Sequence, residues 1–483
     1  MKLFSFLLLA ASSGITLAES HKESDYYPIT QIPVPEGVIL EVSGIEVLPN
    51  NQIAVASRRG DVYTLTGAYE APEDVKYTLF AEGIHESLGL SYRDGWLYAT
   101  QRPEVTRMRD EDGDGRADVF ETVNDGWGVC GDYHEYAFGS RHDKDGNIWT
   151  VLCLTGSGGT NADYRGWCMR VTPEGKMIPT ASGIRSPGGI GENHLGDMFY
   201  CDNQGPWNGS SSLKNLKVGS FQGNPTGNVD YQLTDDIGPR PEDPKSGSRI
   251  VVEAARIPEY VPPACMLPHG SMGNSPAGIA CDQSEGAFGP FKHQLFIAEQ
   301  TASRVHRVSL EKVKGVYQGA CFSFLSGFKS GNVAIRFGED GTLFNGGTER
   351  GWGSRGGSNF ALDRVNWTGK VPFEMLHVSA RSDGFEITFT EPANVETLAD
   401  INSYEVEAYT YIYQSDYGSP VVDKIAPKVT AVAPAADGLS VRIHLDVLTH
   451  GHVHELRLPG VKSAKALPIL HPIAYYTLNE IPN

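Results

Sequence analysis

Two residues of this chain have the types and the setting for proton and charge chemistry. His134 ends the run Asp132-Tyr133-His134, and Arg185 opens the run Arg185-Ser186-Pro187; each stands just ahead of an apolar segment. A neutral imidazole within hydrogen-bond reach of a hydroxyl takes its proton, and a guanidinium fork holds an anionic or carbonyl oxygen. A second constellation is ionic. Asp110, Asp112, Asp114, Asp118 and Glu121, with Arg116 at the position that offers a backbone carbonyl, match D-x-D-x-D-G-x5-E. Carboxylates at that spacing surround a hard cation with oxygens, and the glycine permits the sharp turn, so the segment predicts a Ca2+ loop. The competing reading is an acidic surface loop. No helical pattern flanks the segment, so the expected calcium is structural rather than a sensor's.

The elements that must carry these residues are strands. Helical periodicity is nearly absent, and short alternating apolar runs are bounded by Gly, Asp and Asn. One pattern recurs: a Gly-apolar start, an Asp-Gly or Asn-like turn, an apolar triplet, then a strand ending near an Arg. Copies begin at Gly44, Leu88, Tyr136, Gly188, Ala277 and Val333. Six copies of about four strands each predict a six-bladed β-propeller over residues 30–367. A pair of sandwiches would not impose such a repeat. The first strand of every blade then lines the central channel, and the residues before it ring one mouth. That position collects His85-Glu86-Ser87, Asp132-Tyr133-His134, Arg185-Ser186-Pro187, Asn274-Ser275-Pro276 and Ser330-Gly331-Asn332. Polar turns are also what exposed loops carry, which is the plainer reading of the set.

After Trp367 the repeat stops, and alternating strands over 372–483 predict a separate immunoglobulin-like β-sandwich. The expected fold class is therefore all-β, a six-bladed propeller followed by a C-terminal sandwich. Residues 235–248, with prolines among charges, are expected as a surface excursion between blades four and five.

Residues 132–139, Asp-Tyr-His-Glu-Tyr-Ala-Phe-Gly, followed by Asp-Lys-Asp-Gly-Asn-Ile-Trp-Thr-Val, resemble a segment of the soluble glucose/sorbosone dehydrogenases. Gly183-Ile-Arg-Ser-Pro-Gly-Gly-Ile190 is similar to that family's G-x-R-N-P-x-G-L, and Asp202-Asn-Gln-Gly-Pro206 stands where it carries E-H-G-P. The resemblance covers roughly residues 30–367. It implies a six-bladed propeller that oxidises a sugar, or a related alcohol or aldehyde, by hydride transfer to pyrroloquinoline quinone (PQQ). By the same resemblance His134 is the general base, Arg185 contacts the quinone with Ser186 beside it, and the carbonyls of Gly205 and Pro206 help ligate a calcium. Arg350 and Arg355 are the candidates for the cofactor carboxylates. The partners implied are a small-molecule substrate and an external electron acceptor. The sequence departs from the family at Ser186, which replaces an Asn, and at Ile84-His85-Glu86, where a Gln is expected. Two other readings stay open: a non-catalytic propeller that binds glycans or protein partners, and a propeller lyase or lactonase with a channel metal.

Composition narrows the field. Lys+Arg 40 against Asp+Glu 59 gives −19, a poor balance for binding nucleic acid or anionic lipid. Residues 1–18 run from Lys2 through an apolar core to Thr16-Leu17-Ala18, which predicts a signal peptide cleaved after Ala18 and a periplasmic or secreted protein. No later stretch approaches the length of a membrane span. Seven cysteines carry no C-x-x-C, against covalent haem and zinc ribbons; export permits disulfides, and their pairing stays open. His450, His452 and His454 alternate along a strand and could present three imidazoles, although a polar sandwich face explains them as well.

Overall fold

The computed structural model describes residues 21–154 and 162–483. The expected signal peptide over 1–18 lies outside the described residues. Six antiparallel sheets follow in chain order over residues 42–81, 90–124, 137–182, 187–216 with Cys265–Leu267, 276–326 and 332–365. Their first strands pack side by side, and the last, Asn332–Phe337, meets the first, Val42–Leu48. That closed ring is a β-propeller, and all six repeat copies coincide with the start of a blade. Ile29–Gln31 pairs with Asp363–Val365 as the outer strand of blade six, so the N-terminal segment locks the ring.

The repeat is visible in sequence because its turn is built locally. In blade three Asp143 Oδ1 accepts the N–H groups of Asp145 and Asn147 at 3.0 and 2.9 Å, and Gly146 takes φ 87°. Asn193 Oδ1 does the same for Leu195 and Asp197 in blade four, at 3.0 and 2.9 Å. Short Asx side chains that mimic a backbone turn are what the hairpin between first and second strands needs.

One end of the channel is closed by charge. Glu46, Arg141, Glu192 and Arg336 project from the far ends of the inner strands of blades one, three, four and six. Arg141 lies 3.2 Å from Glu46 and 4.0 Å from Glu192; Arg336 lies 3.1 Å from Glu46 and 3.8 Å from Glu192. Two guanidinium groups alternating with two carboxylates leave no net charge around buried Glu46 and Arg141, while Glu192 and Arg336 stay partly exposed.

The C-terminal region does not form a separate domain. Strand Ile473–Thr477 pairs with the outer strand of blade five, Gly319 opposite Thr477 through Phe322 opposite Ala474. Blade five thereby becomes an eight-stranded sheet that runs on through Val453–Arg457, Glu405–Tyr411 and Val421–Ile425. A second sheet, formed by Met375–Arg381, Gly384–Phe389, Ser440–Leu445 and Val429–Pro434, packs on it across Phe385, Ile387, Ile443, Leu456 and Tyr476. The expectation of an independent sandwich is corrected here. Val316–Ser326 is eleven residues long, and its Ala320 and Phe322 face the C-terminal core, so it serves both regions at once. Fully buried Arg307 reinforces the joint: its guanidinium lies 4.2 Å from the rings of both Phe291 and Phe322 and donates to the Met375 carbonyl at 2.8 Å.

The excursion at 235–248 falls inside blade four, between its third strand Ser211–Leu216 and its outer strand Cys265–Leu267, not between blades four and five. All seven cysteines are free, and six of them are buried.

Candidate functional site at the channel mouth

A cavity of about 300 Å³ opens at the mouth opposite the ion cluster. Its walls include His134 and Tyr136 from blade three, Arg185 and Ser186 from blade four, Asn274 from blade five and Arg350 from blade six. His134 and Arg185 thus share one cavity. His85, Glu86, Ser87 and Ser330–Asn332 do not line it, although they occupy the equivalent position in their blades. Arg355 lies outside as well; its backbone N–H is spent on the Thr301 carbonyl at 3.0 Å while its side chain is exposed.

A buried acid at the end of a second strand shapes the mouth. In blade four Asp202, at 0% exposure, accepts the Ser186 N–H at 2.8 Å and the Arg185 N–H at 3.4 Å, and is paired with buried Lys214 at 2.9 Å. In blade five Glu299 accepts the N–H groups of Asn274 and Ser275 at 3.0 and 2.6 Å. Each acid turns the donors of its own blade's entry loop inward and fixes that loop's direction.

His134 is placed by a residue that its local sequence does not announce. Arg102, from blade two, donates to the carbonyls of Asp132, Tyr133 and Glu135 at 2.7, 2.7 and 3.2 Å. The planar fork holds the loop from below, and Asp132 Oδ1 accepts the His134 N–H at 2.8 Å from within it. The imidazole stands edge-on to Tyr133 and 5.8 Å from the Trp352 ring.

Arg58 likewise has no motif around it in the sequence. It donates to Glu86 at 2.5 Å, to the Arg350 carbonyl at 2.7 Å and to the Tyr136 hydroxyl at 3.1 Å, joining four blades at the mouth. Burial opposes its charge, but Glu86 beside it outweighs burial and raises its pKa. Glu86 therefore serves this pairing rather than the role of the Gln expected near it. Cys153 lines the cavity too; burial pushes its thiol up to about 11, which leaves no thiolate at neutral pH.

Two of the three arginines in the walls already have acids: Arg58 with Glu86 and Arg350 with Glu41 at 3.0 Å. Among the described residues Arg185 has no carboxylate within ion-pair distance. Its Nη1 donates to the Gln204 carbonyl at 2.9 Å, and its face lies 5.2 Å from the ring of Tyr417, a residue of the C-terminal region.

This donor set fits an anionic planar quinone in part. A guanidinium with no acid partner among the described residues, with Arg350 half-exposed across the cavity, can meet its oxygens, and the Trp352 ring offers a flat face. A calcium at Gly205 and Pro206 would have to compete with protein donors. The Gly205 carbonyl accepts the N–H groups of Asn208 and Gly418 at 3.0 and 3.1 Å, and the Pro206 carbonyl accepts Asn224 Nδ2 at 3.2 Å. Both oxygens already have donors.

The acidic loop lies on blade two, away from the cavity. Carboxylate oxygens of Asp110, Asp112 and Asp118 come within 4.8 Å of one another. Asp114 turns to cap the Arg116 N–H at 2.8 Å, and Glu121 lies in strand Val119–Asn124 and binds Arg107 at 2.5 Å. The strand begins two residues before Glu121, so the twelfth position of the calcium pattern is carried off along the sheet. His454 is buried against Phe385, whereas His450 is exposed and His452 partly exposed, so the three imidazoles share no common face.

Residues 58–322, from Arg58 to the outer strand of blade five, match the family model described as Domain of unknown function (DUF7133). The chain belongs to the DUF7133 family. The matched segment holds His134, Arg185 and the acidic loop; Arg350, Trp352 and Tyr417 lie beyond it. No curated protein matches. Solved structures similar to this chain include the PQQ-bound aldose sugar dehydrogenase of Streptomyces coelicolor, 15% identical over 71% of this chain and 98% of that one, with a TM-score of 0.47. They also include the soluble aldose sugar dehydrogenase of Escherichia coli in its apo form, 14% identical over 70% and 99%, with a TM-score of 0.49. Among the described residues no helix is long and apolar enough to cross a membrane.

Proposed function

We propose that this DUF7133 protein is a periplasmic or secreted oxidoreductase that oxidises a sugar, or a related alcohol or aldehyde, at the propeller mouth. In this reading it uses a quinone cofactor of the PQQ class and passes electrons to an external acceptor. One observation carries the reading: His134 and Arg185 converge on a single cavity, in which Arg185 has no acid partner among the described residues. Such a quinone would supply the acceptor for the hydride of the substrate carbon. His134, held by Arg102, receives the proton of the substrate hydroxyl. Arg185 and Ser186 would hold oxygens of the cofactor, and Arg350 would meet one of its carboxylates. The ion cluster around Arg141 keeps bulk water from entering through the channel. Calcium belongs in this reading at Asp110, Asp112 and Asp118, as a structural ion of blade two, rather than at Gly205 and Pro206.

A second reading, a propeller that binds glycans without turning them over, draws on the half-exposed aromatic rings at the mouth. Reconstitution separates the two. Purified full-length protein with PQQ and calcium should reduce an artificial dye with at least one sugar of a panel. Saccharide binding without dye reduction would favour the second reading. A channel-metal lyase or lactonase has less support, because the converging carboxylates lie on the blade-two loop.

A further inference from the structure

The C-terminal region reaches the propeller mouth through one loop, residues 412–420, whose attachment is specific. Tyr413 is buried at its base, stacks on Tyr260 and donates to the Gly223 carbonyl. The Trp207 N–H donates to the Gln414 carbonyl at 2.7 Å, Gly418 N–H to Gly205 at 3.1 Å, and Ser419 N–H to Gly209 at 3.0 Å. The backbone is therefore pinned on both sides of Tyr417. The Tyr417 ring is 64% exposed, lies over Arg185 and forms part of the cavity wall. Trp352, at 45% exposure, lies in the wall contributed by blade six.

Volume decides what these rings are for. A cavity of about 300 Å³ is at the small end of sites that enclose one ligand. A cofactor held in its depth would leave the substrate the solvent-facing walls, which include Tyr417 and Trp352. We propose that Tyr417 forms one wall of a saccharide subsite there, with Trp352 as another, so that the C-terminal region completes the site begun by the propeller. The inference rests on the sugar-oxidising reading above. A pyranose has one face of C–H groups and an edge of hydroxyls. An exposed phenol ring takes the face, while the Gln204 and Asn274 side chains in the same wall can take the edge. The Arg185 guanidinium, 5.2 Å from the ring centroid, and the backbone bonds on both sides favour one ring position before the ligand arrives.

The test uses full-length protein, wild type, Tyr417→Ala and Tyr417→Phe. Saccharide affinity is read by calorimetry over a panel of mono- and oligosaccharides, and PQQ binding by its absorbance. Tyr417→Ala should weaken the saccharides that wild type binds about tenfold or more, Tyr417→Phe should keep most of the affinity, and PQQ binding should change little in either. The ring is exposed, so the thermal midpoint of Tyr417→Ala should match wild type. Equal saccharide affinity in wild type and Tyr417→Ala overturns the subsite and leaves the oxidoreductase reading standing. A wild type that binds no saccharide of the panel overturns the subsite together with the sugar as substrate of the oxidoreductase reading.

Discussion

The side chain of Arg185 crosses the backbone of Gly205 so closely that a β-carbon there would meet Nε at 2.2 Å and Cζ at 2.4 Å. Glycine at 205 is thus explained by the room it leaves for Arg185, without a metal. The obstructed atoms are the far end of a flexible side chain, which can swing away at low cost. Gly205→Ala should therefore leave the fold intact and displace the guanidinium from the cavity wall. The expected result is a thermal midpoint within a degree or two of wild type and about a tenfold loss of ligand affinity, roughly one charge-assisted hydrogen bond. Unchanged affinity in calorimetry would mean that Arg185 does not hold the ligand.

Much of this site was legible because it is local. The Asx-Gly hairpin that marks each blade start is contained within a few residues, and His134 and Arg185 occupy the same position relative to it in neighbouring blades. Partners from other blades were not legible. Arg58 and Arg102 act on loops 28 and about 30 residues away, and neither run of sequence carries a recognisable motif. The run Tyr409-Thr-Tyr-Ile-Tyr-Gln-Ser-Asp-Tyr417 is unusually rich in tyrosine, a signal that could have marked the docking loop. The shared sheet was hidden for a different reason. Cys321 and Tyr475 pair from 154 residues apart, and an alternating strand looks the same whether its edge is free or paired. Arg350 and Arg355 sit in one Gly-rich loop, and only the fold distinguishes the one that faces inward.

His471 ties the two ends of the chain together, with Nδ1 2.5 Å from Glu374 and Nε2 3.1 Å from Glu23. Burial opposes its charge, but Glu374 and Glu23 together raise its pKa from 6.5 to about 9. A raised histidine pKa contributes stability fully present below about pH 6.5 and lost as pH rises through about 9, on the order of 3 kcal/mol. Urea unfolding from pH 6 to 10 should record that decline, and His471→Gln should flatten it. An equally steep decline in the variant would place the titrating group elsewhere.

The calcium proposal has its own readout. A cation bound by the folded state alone stabilises by mass action, so millimolar calcium should raise the thermal midpoint. Asp110→Ala with Asp118→Ala should abolish the rise, because these two carboxylates converge with Asp112. Glu121→Ala should leave it in place, since Glu121 points to Arg107. A double variant that responds like wild type would remove the loop as the site.

The central claim is that His134 takes the substrate proton at a mouth organised by Arg102 and Arg185. The most direct measurement is the steady-state rate of dye reduction by PQQ-reconstituted wild type and His134→Asn, with the sugar that gives the highest wild-type rate. Asparagine keeps hydrogen bonding but cannot serve as the base, so kcat should fall by about 10²–10⁴ with PQQ binding nearly intact. An active wild type whose full kcat survives in His134→Asn would contradict the account.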